Sequence, residues 1–160
     1  MSKTNNLHRN LAAVAGFGMS LTFLGHGMWA AIEKTPKFAD LLSSSLQNVF
    51  GITISEATAT NWVQYIGVVD LVLAIIFAAA TIGLFTSSGW LARLATSRLI
   101  VGLYAWGAFW GFLTALSRVT AADAWYPEIW DWVERGPNFT IPIIGLIMIL
   151  QLRKSGQKGS

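Results

Sequence analysis

Seven polar residues of this largely apolar chain are expected to lie at a similar distance from one membrane edge. Their side chains are of types that can bind a ligand or transfer a proton. They are His26, Glu33, Asp70, Arg118, Glu134, Arg135 and Asn138. His26 comes six residues before the end of the first apolar run, and Asp70 comes eight residues after the start of the second. At about 1.5 Å of helix rise per residue, the two side chains would lie about 9 and 12 Å below the same membrane edge, where they can meet.

Two interpretations of this polar cluster follow from the cost of burying a charge. A carboxylate in hydrocarbon costs roughly 2.5–3.5 kcal/mol, so Asp70 must face the protein interior and find a partner or be protonated. In the first interpretation, His26 and Asp70 are catalytic residues that exchange a proton with a ligand. In the second, His26, Asp70 and Arg118 form a structural hydrogen-bond network that holds the helices together.

In the first interpretation, the remaining polar residues bind the ligand. Arg118 or Arg135 would hold an anionic or carbonyl head group, and Glu33, Glu134 and Asn138 complete the predicted site. A pocket that is apolar below and charged at its mouth suits an amphipathic molecule such as a quinone or a lipid.

Metal and haem sites are not expected. The chain has no cysteine, which excludes Fe–S clusters, zinc–thiolate sites and disulfides within it. The second histidine, His8, lies at the opposite end of the first apolar run from His26, so the two cannot ligate one haem. His26, Glu33 and Asp70 are suitable ligand types, but we expect no metal there.

Four apolar runs predict the elements that position these residues. The chain is 54% hydrophobic and 12% charged, about half the charged fraction of a soluble domain. We predict one all-α membrane domain over residues 1–160, a four-helix bundle with spans at 11–32, 62–85, 95–116 and 138–152. The last apolar run is short, so either the bilayer thins locally or the Trp-rich segment before it completes the crossing.

Two shorter segments are predicted to lie in the membrane interface. Residues 38–50 place apolar side chains on one helical face and serine, asparagine and aspartate on the other, between spans 1 and 2. Gly51 ends this helix and Ser55 can cap the next one. Residues 127–135 begin with a proline suited to a first helical turn and form the second interfacial helix.

The charges predict the orientation. Seven lysines and arginines fall on the side of both termini and four on the other, which favours cytoplasmic N- and C-termini. Because the basic residues flank apolar runs, the net charge of +3 indicates membrane anchoring among lipids and not nucleic-acid binding.

A glycine-containing face on the third span indicates close helix packing. Gly102, Gly107 and Gly111 form a face of small residues that lets another helix approach closely. That neighbour is either another span of this chain or a partner protein.

Several motifs resemble a subgroup of the DoxX-like small membrane proteins. They are FLGHGMWAAIEK at 23–34, GITISEAT at 51–58, IGVVDLVLA at 66–74, WGFLTALSR at 110–118 and WDWVERGPNFTIPIIGL at 130–146. The resemblance covers nearly the whole chain and implies four helices with an interfacial or re-entrant segment after the first. It also implies a link to quinone-dependent oxidoreduction, in which some members of that family take part as membrane subunits.

The sequence therefore predicts a multi-pass protein of a bacterial cytoplasmic membrane with an outer-leaflet polar pocket. The leading hypothesis is that this pocket binds a quinone or lipid-like molecule as part of a membrane redox system. The alternative is a non-catalytic accessory or assembly subunit whose glycine face docks a larger membrane complex or a second copy. A small transporter is a third hypothesis, which four spans disfavour unless the protein oligomerises.

Overall fold

The computed structural model describes residues 3–86, 89–121, 130 and 132–157, and every regular element among them is helical. The elements are α1 (Lys3–Gly27), a π-helical turn (Met28–Ile32), α2 (Pro36–Phe50), α3 (Glu56–Gly83), α4 (Gly89–Ala95), α5 (Arg98–Thr120) and α6 (Pro137–Gln157). The all-helical fold class is confirmed for this part of the chain.

Four of the described helices are long and apolar enough to cross a membrane, as predicted. They are Thr4–Ile32, Glu56–Gly83, Arg98–Thr120 and Trp132–Ser155. The fourth has 24 residues because the chain ahead of α6 is already helical at Trp132. This favours the interpretation in which the Trp-containing segment completes the last crossing. The side of the membrane on which the termini lie stays a prediction.

The structure describes the first predicted interfacial segment completely and the second only in part. Residues 38–50 fall within α2, whose position in the membrane interface stays a prediction. Of residues 127–135, positions 127–129 and 131 lie outside the described residues, and Trp130 with residues 132–134 is helical.

The ends of the helices follow local sequence signals. Gly51 ends α2 with a left-handed φ of 67°. The Ser55 hydroxyl accepts a hydrogen bond of 3.2 Å from the Thr58 amide at the start of α3. Ser97 caps α5 in the same way, through the Ile100 amide at 3.2 Å. α4 was not foreseen in the sequence, and it packs on the end of α3, where the absence of a side chain at Gly83 lets Leu91 approach.

The core lies among α1, α3, α5 and α6, with α1 packed against both α3 and α6, and α5 packed against α6. Phe77 and Tyr104 meet edge to face there, with ring centroids 5.0 Å apart. The Tyr104 hydroxyl donates a hydrogen bond of 3.2 Å to the Ala12 carbonyl, which ties α5 to α1. This cluster fills the half of the bundle that contains the chain termini and leaves the other half for the polar residues.

The glycine face of α5 is used inside the chain. A Cβ atom at Gly107 would stand 2.6 Å from the Met19 methyl group, and one at Gly111 would overlap the Asn138 carbonyl. Gly107 therefore makes room for the Met19 side chain of α1, and Gly111 lets the backbone of α6 approach α5 closely. Gly102 differs, because a Cβ there would meet no atom within 4 Å.

Candidate functional site

A cavity of about 330 Å³ lies between α2 and the bundle, at the end opposite the chain termini. Its walls come from the end of α1, the inner face of α2, the first half of α3, the second half of α5 and the start of α6. The antiparallel course of the spans brings these ends together, so one site draws residues from every long helix.

Five of the seven predicted site residues line this cavity. They are His26, Asp70, Arg118, Arg135 and Asn138. The remaining two, Glu33 and Glu134, are exposed and do not line it. The cavity therefore unites residues that are up to 112 positions apart in the sequence, between His26 and Asn138. Their catalytic and binding roles stay predictions.

The π-helical turn explains why Glu33 is separate from His26. In a regular α-helix seven residues make nearly two turns, which would return Glu33 to the His26 face. Residues Met28–Ile32 instead form a π-helix, and the Glu33 amide bonds to the Met28 carbonyl at 2.9 Å, five residues earlier. The wider turn rotates the chain past that face, and nothing in the sequence signals this turn.

A close crossing of α1 and α3 positions His26 and Asp70. A Cβ atom at Gly27 would stand 2.8 Å from the Gly67 carbonyl oxygen, and a Cβ atom at Gly67 would stand 2.6 Å from the Ala31 amide nitrogen. His26 immediately precedes one glycine, and Asp70 follows the other by three residues, about one helical turn. Contact between the backbones at this crossing therefore fixes the level at which both side chains enter the cavity.

Asp70 is a buried acid of the site, and its contacts differ from those of Arg118. It is only 4% exposed, and within the described residues its carboxyl group forms no hydrogen bond or ion pair. Arg118, at 9% exposed, does have an interaction partner. Buried polar groups in folded proteins almost always have partners, so an unpaired carboxyl that faces a cavity is unusual.

His26 lies among aromatic and cationic groups. Its ring meets Phe38 of α2 edge to face at 6.2 Å between centroids. Arg135 and Arg118 are close enough to interact with it electrostatically. No hydrogen bond joins His26 to Asp70 in the described part of the chain, although both line the same cavity. The described contacts therefore do not include the direct hydrogen bond that the structural-network interpretation requires between them.

The rest of the cavity wall is mainly apolar. The lining face of α2 carries the residues Phe38, Leu41, Leu42, Ser45, Leu46, Val49 and Phe50. On α5 the lining includes Trp110 and Thr114, which precede Arg118 by eight and four residues and so share its helical face. We did not single out these two residues in the sequence, although their spacing from Arg118 was a usable signal.

α2 is held over the cavity by hydrogen bonds to the last turn of α5. The Asn48 side-chain amide donates to the Thr120 carbonyl at 2.8 Å, and the Ser45 hydroxyl donates to the Ser117 carbonyl at 3.4 Å. The Thr120 hydroxyl in turn donates to the Ser45 oxygen at 2.9 Å. The Ser117 carbonyl also accepts from the Ala121 amide at 3.0 Å, whereas Asn48 gives the Thr120 carbonyl at the end of α5 a partner.

The donor set favours an organic ligand over a metal ion. Within the described ranges no three His, Cys, Asp or Glu side chains are grouped so that they could hold a metal. Two guanidinium groups, an amide, an imidazole and a single carboxyl group instead line the cavity. Such a set can bind oxygen atoms of an organic head group through hydrogen bonds.

The chain matches no protein-family model, no curated protein and no solved structure. The resemblance to DoxX-like proteins therefore depends on the sequence motifs alone, and the function has to be argued from the cavity.

Proposed function

We propose that this protein binds an amphipathic molecule, a quinone or a lipid with a carbonyl or anionic head, within a membrane. The observation that carries the proposal is the cavity under α2, which joins an apolar wall to a cluster of buried and half-buried charged residues. Ligand pockets typically combine a mostly apolar lining with a few convergent polar groups.

The two arginines would bind the head of the ligand. Arg118 enters from the last turns of α5 and Arg135 from the chain just before α6, so they reach the cavity from different elements. Guanidinium groups donate paired hydrogen bonds to carbonyl, carboxylate or phosphate oxygens. The hydrocarbon part would lie along Leu42, Leu46 and Val49 on the inner face of α2.

His26 and Asp70 would exchange a proton with the bound head. Both groups can take up and release a proton, and both line the cavity without a hydrogen bond between them. A ligand bound between His26 and Asp70 could therefore form a hydrogen bond with each of them. In this proposal the protein acts in a bacterial cytoplasmic membrane as the membrane subunit of a quinone-linked oxidoreductase.

The glycine face on which the accessory-subunit alternative is based is used in part inside the chain. Gly107 and Gly111 contact α1 and α6 of the same chain, so they are not free to dock a larger complex or a second copy. Gly102 of the same face has open space around it, so the accessory-subunit alternative stays a second candidate.

Filling the cavity tests the proposal. Leu113→Trp places a larger side chain in the α5 wall, and Leu99→Trp makes the same change at a 54% exposed position on the same helix. We expect native mass spectrometry after gentle detergent extraction to detect one bound amphipathic molecule on the wild type and on Leu99→Trp. Leu113→Trp should lack it. Equal ligand occupancy in all three proteins, or no ligand on the wild type, would contradict the proposal.

A further inference from the structure

The hydrogen-bonding groups of the cavity are unequally divided between donors and acceptors. Arg118 and Arg135 only donate, and Asn138 can both donate and accept. Among the described lining residues, Asp70 is the single acidic side chain. A ligand that offers only acceptor oxygens could accept from the arginines but would leave an ionised Asp70 carboxylate buried without a donor.

The hydroxyl groups of the cavity cannot supply that donor. Thr114 and Ser117 donate to the Gly111 and Thr114 carbonyls at 3.1 and 2.8 Å. Ser45 donates to the Ser117 carbonyl and Thr120 donates to Ser45. Each of these protons is already used within the protein. These hydroxyls do not donate to Asp70, so a bound molecule that carries a donor would satisfy its carboxyl group.

Aromatic side chains indicate the shape of the head that would carry this donor. Trp110 lines the α5 wall and stacks on Trp106 at 5.8 Å between centroids, so its indole is held in place. Phe38 lines the α2 wall against His26. Flat walls of this kind favour a planar ring in offset or edge-to-face contact.

We propose that Asp70 accepts a hydrogen bond from a phenolic hydroxyl of the ligand, so that the cavity selects alkyl-substituted quinols over the corresponding quinones. The second ring oxygen would accept hydrogen bonds from Arg118 or Arg135, and the alkyl chain would follow α2. This inference rests on the proposed function and specifies its ligand. Sites built around a hydrogen-bonding group strongly reject analogues that lack the matching group, because a buried polar atom is then left unpaired.

Three probes that differ only in their head groups test this selectivity. They are 2-decyl-1,4-hydroquinone, 2-decyl-1,4-benzoquinone and the 1,4-dimethyl ether of the hydroquinone, which has no hydroxyl. Each probe is titrated separately under argon into the full-length protein in lipid nanodiscs, and its binding is measured by isothermal titration calorimetry, with empty nanodiscs as the blank. We expect the wild type to bind the hydroquinone about tenfold or more tightly than either other probe, as for a hydrogen bond to a charged group.

Variants at Asp70 assign the selectivity to that residue. Asp70→Ala should bring the three affinities to within about twofold of one another, because the carboxyl acceptor is removed. Asp70→Asn keeps a carbonyl acceptor and should retain part of the preference even if Asp70→Ala folds poorly. Glu56→Ala removes an exposed acid from the same helix and should keep the full wild-type preference.

The outcomes separate this inference from the proposed function. Equal affinities of the wild type for all three probes, or a preference unchanged in Asp70→Asn and Asp70→Ala, would overturn the inference and leave amphipathic binding intact. If no probe bound the wild type more tightly than Leu113→Trp, both the inference and the proposed function would fail.

Discussion

Asp70 and Arg118 are both buried and line the cavity, but they differ in whether the charged group has an interaction partner. Arg118 has an interaction partner, whereas the Asp70 carboxyl has none among the residues described. A buried polar group without a partner costs roughly 1–3 kcal/mol of folding free energy. A residue that only braced the fold would be expected to gain stability from its contacts, so the placement of Asp70 fits a binding role better than a structural one.

The stability of an Asp70 variant distinguishes these two roles. Asp70→Asn keeps the size and shape of the side chain but removes its capacity to carry a charge, so burying it without a charged partner costs less free energy. We therefore expect an unchanged or higher melting temperature in detergent. Glu56→Gln is the matched control on α3 and should melt within about 1 °C of the wild type, as surface changes rarely exceed ±0.5 kcal/mol. A fall of several degrees for Asp70→Asn alone would favour the structural network.

A second prediction at the residue scale concerns the crossing of α1 and α3. In Gly67→Ala the new Cβ would stand 2.6 Å from the Ala31 backbone nitrogen, so the helices must separate. Overpacking of this kind costs about 1–3 kcal/mol. We expect a clearly lower melting temperature than for Gly25→Ala, where a Cβ meets nothing within 4 Å. Equal melting temperatures for the two variants would show that the crossing is looser than described.

At the scale of elements, α2 is joined to α5 by hydrogen bonds and also packs against α3. Its hydrogen bonds to α5 come from Ser45 and Asn48, near its C-terminal end. Val49 and Phe50 line the cavity and are also 51% and 69% exposed, which places an apolar opening at that end. The Asn48 contact is one of the interactions that hold α2 over the cavity.

Removing this contact should loosen α2 without disturbing the spans. A hydrogen bond of this kind contributes about 0.5–1.5 kcal/mol, so Asn48→Ala should accelerate amide hydrogen exchange in residues 38–50 by about 2–10-fold. Asn61→Ala, at an exposed position on α3, is the control and should leave exchange unchanged. Identical exchange in the two variants would mean that α2 is held by its apolar face alone.

The elements also show what could be predicted from the sequence. Helix rise is fixed by backbone geometry, so counting residues placed His26 and Asp70 at a common cavity. The direction in which a side chain points around the helix axis is harder to predict. The π-helical turn at Met28–Ile32 places Glu33 away from the helical face that carries His26. The packing partner of Gly107 was left open because a small-residue face has the same sequence pattern inside a chain and at an interface.

At the scale of the whole molecule, the charge distribution predicts which end faces the cytoplasm. Arg93, Arg98, Arg153 and Lys154 lie at the end with the termini, and the cavity lies at the other. Lysine and arginine excess marks the cytoplasmic side of membrane proteins. The cavity would then open toward the outer leaflet.

Single cysteines test this orientation cleanly, because the chain has no cysteine of its own. In intact bacterial spheroplasts, a membrane-impermeant maleimide should label Gln47→Cys on α2. Thr4→Cys and Ser155→Cys should be labelled only after lysis. Labelling of the terminal positions in intact cells, with Gln47→Cys protected, would reverse the orientation.

Photo-cross-linking from the cavity wall tests the central claim, that this space holds a selected amphipathic molecule, most directly. A benzoylphenylalanine replaces Trp110, which lines the cavity, or Trp106, which stacks beside it and is 43% exposed. After irradiation in membranes, mass spectrometry of the position-110 protein should find one dominant adduct, while position 106 should carry a mixture of bulk phospholipids. The same phospholipid mixture at both positions, or no adduct at 110, would contradict the account.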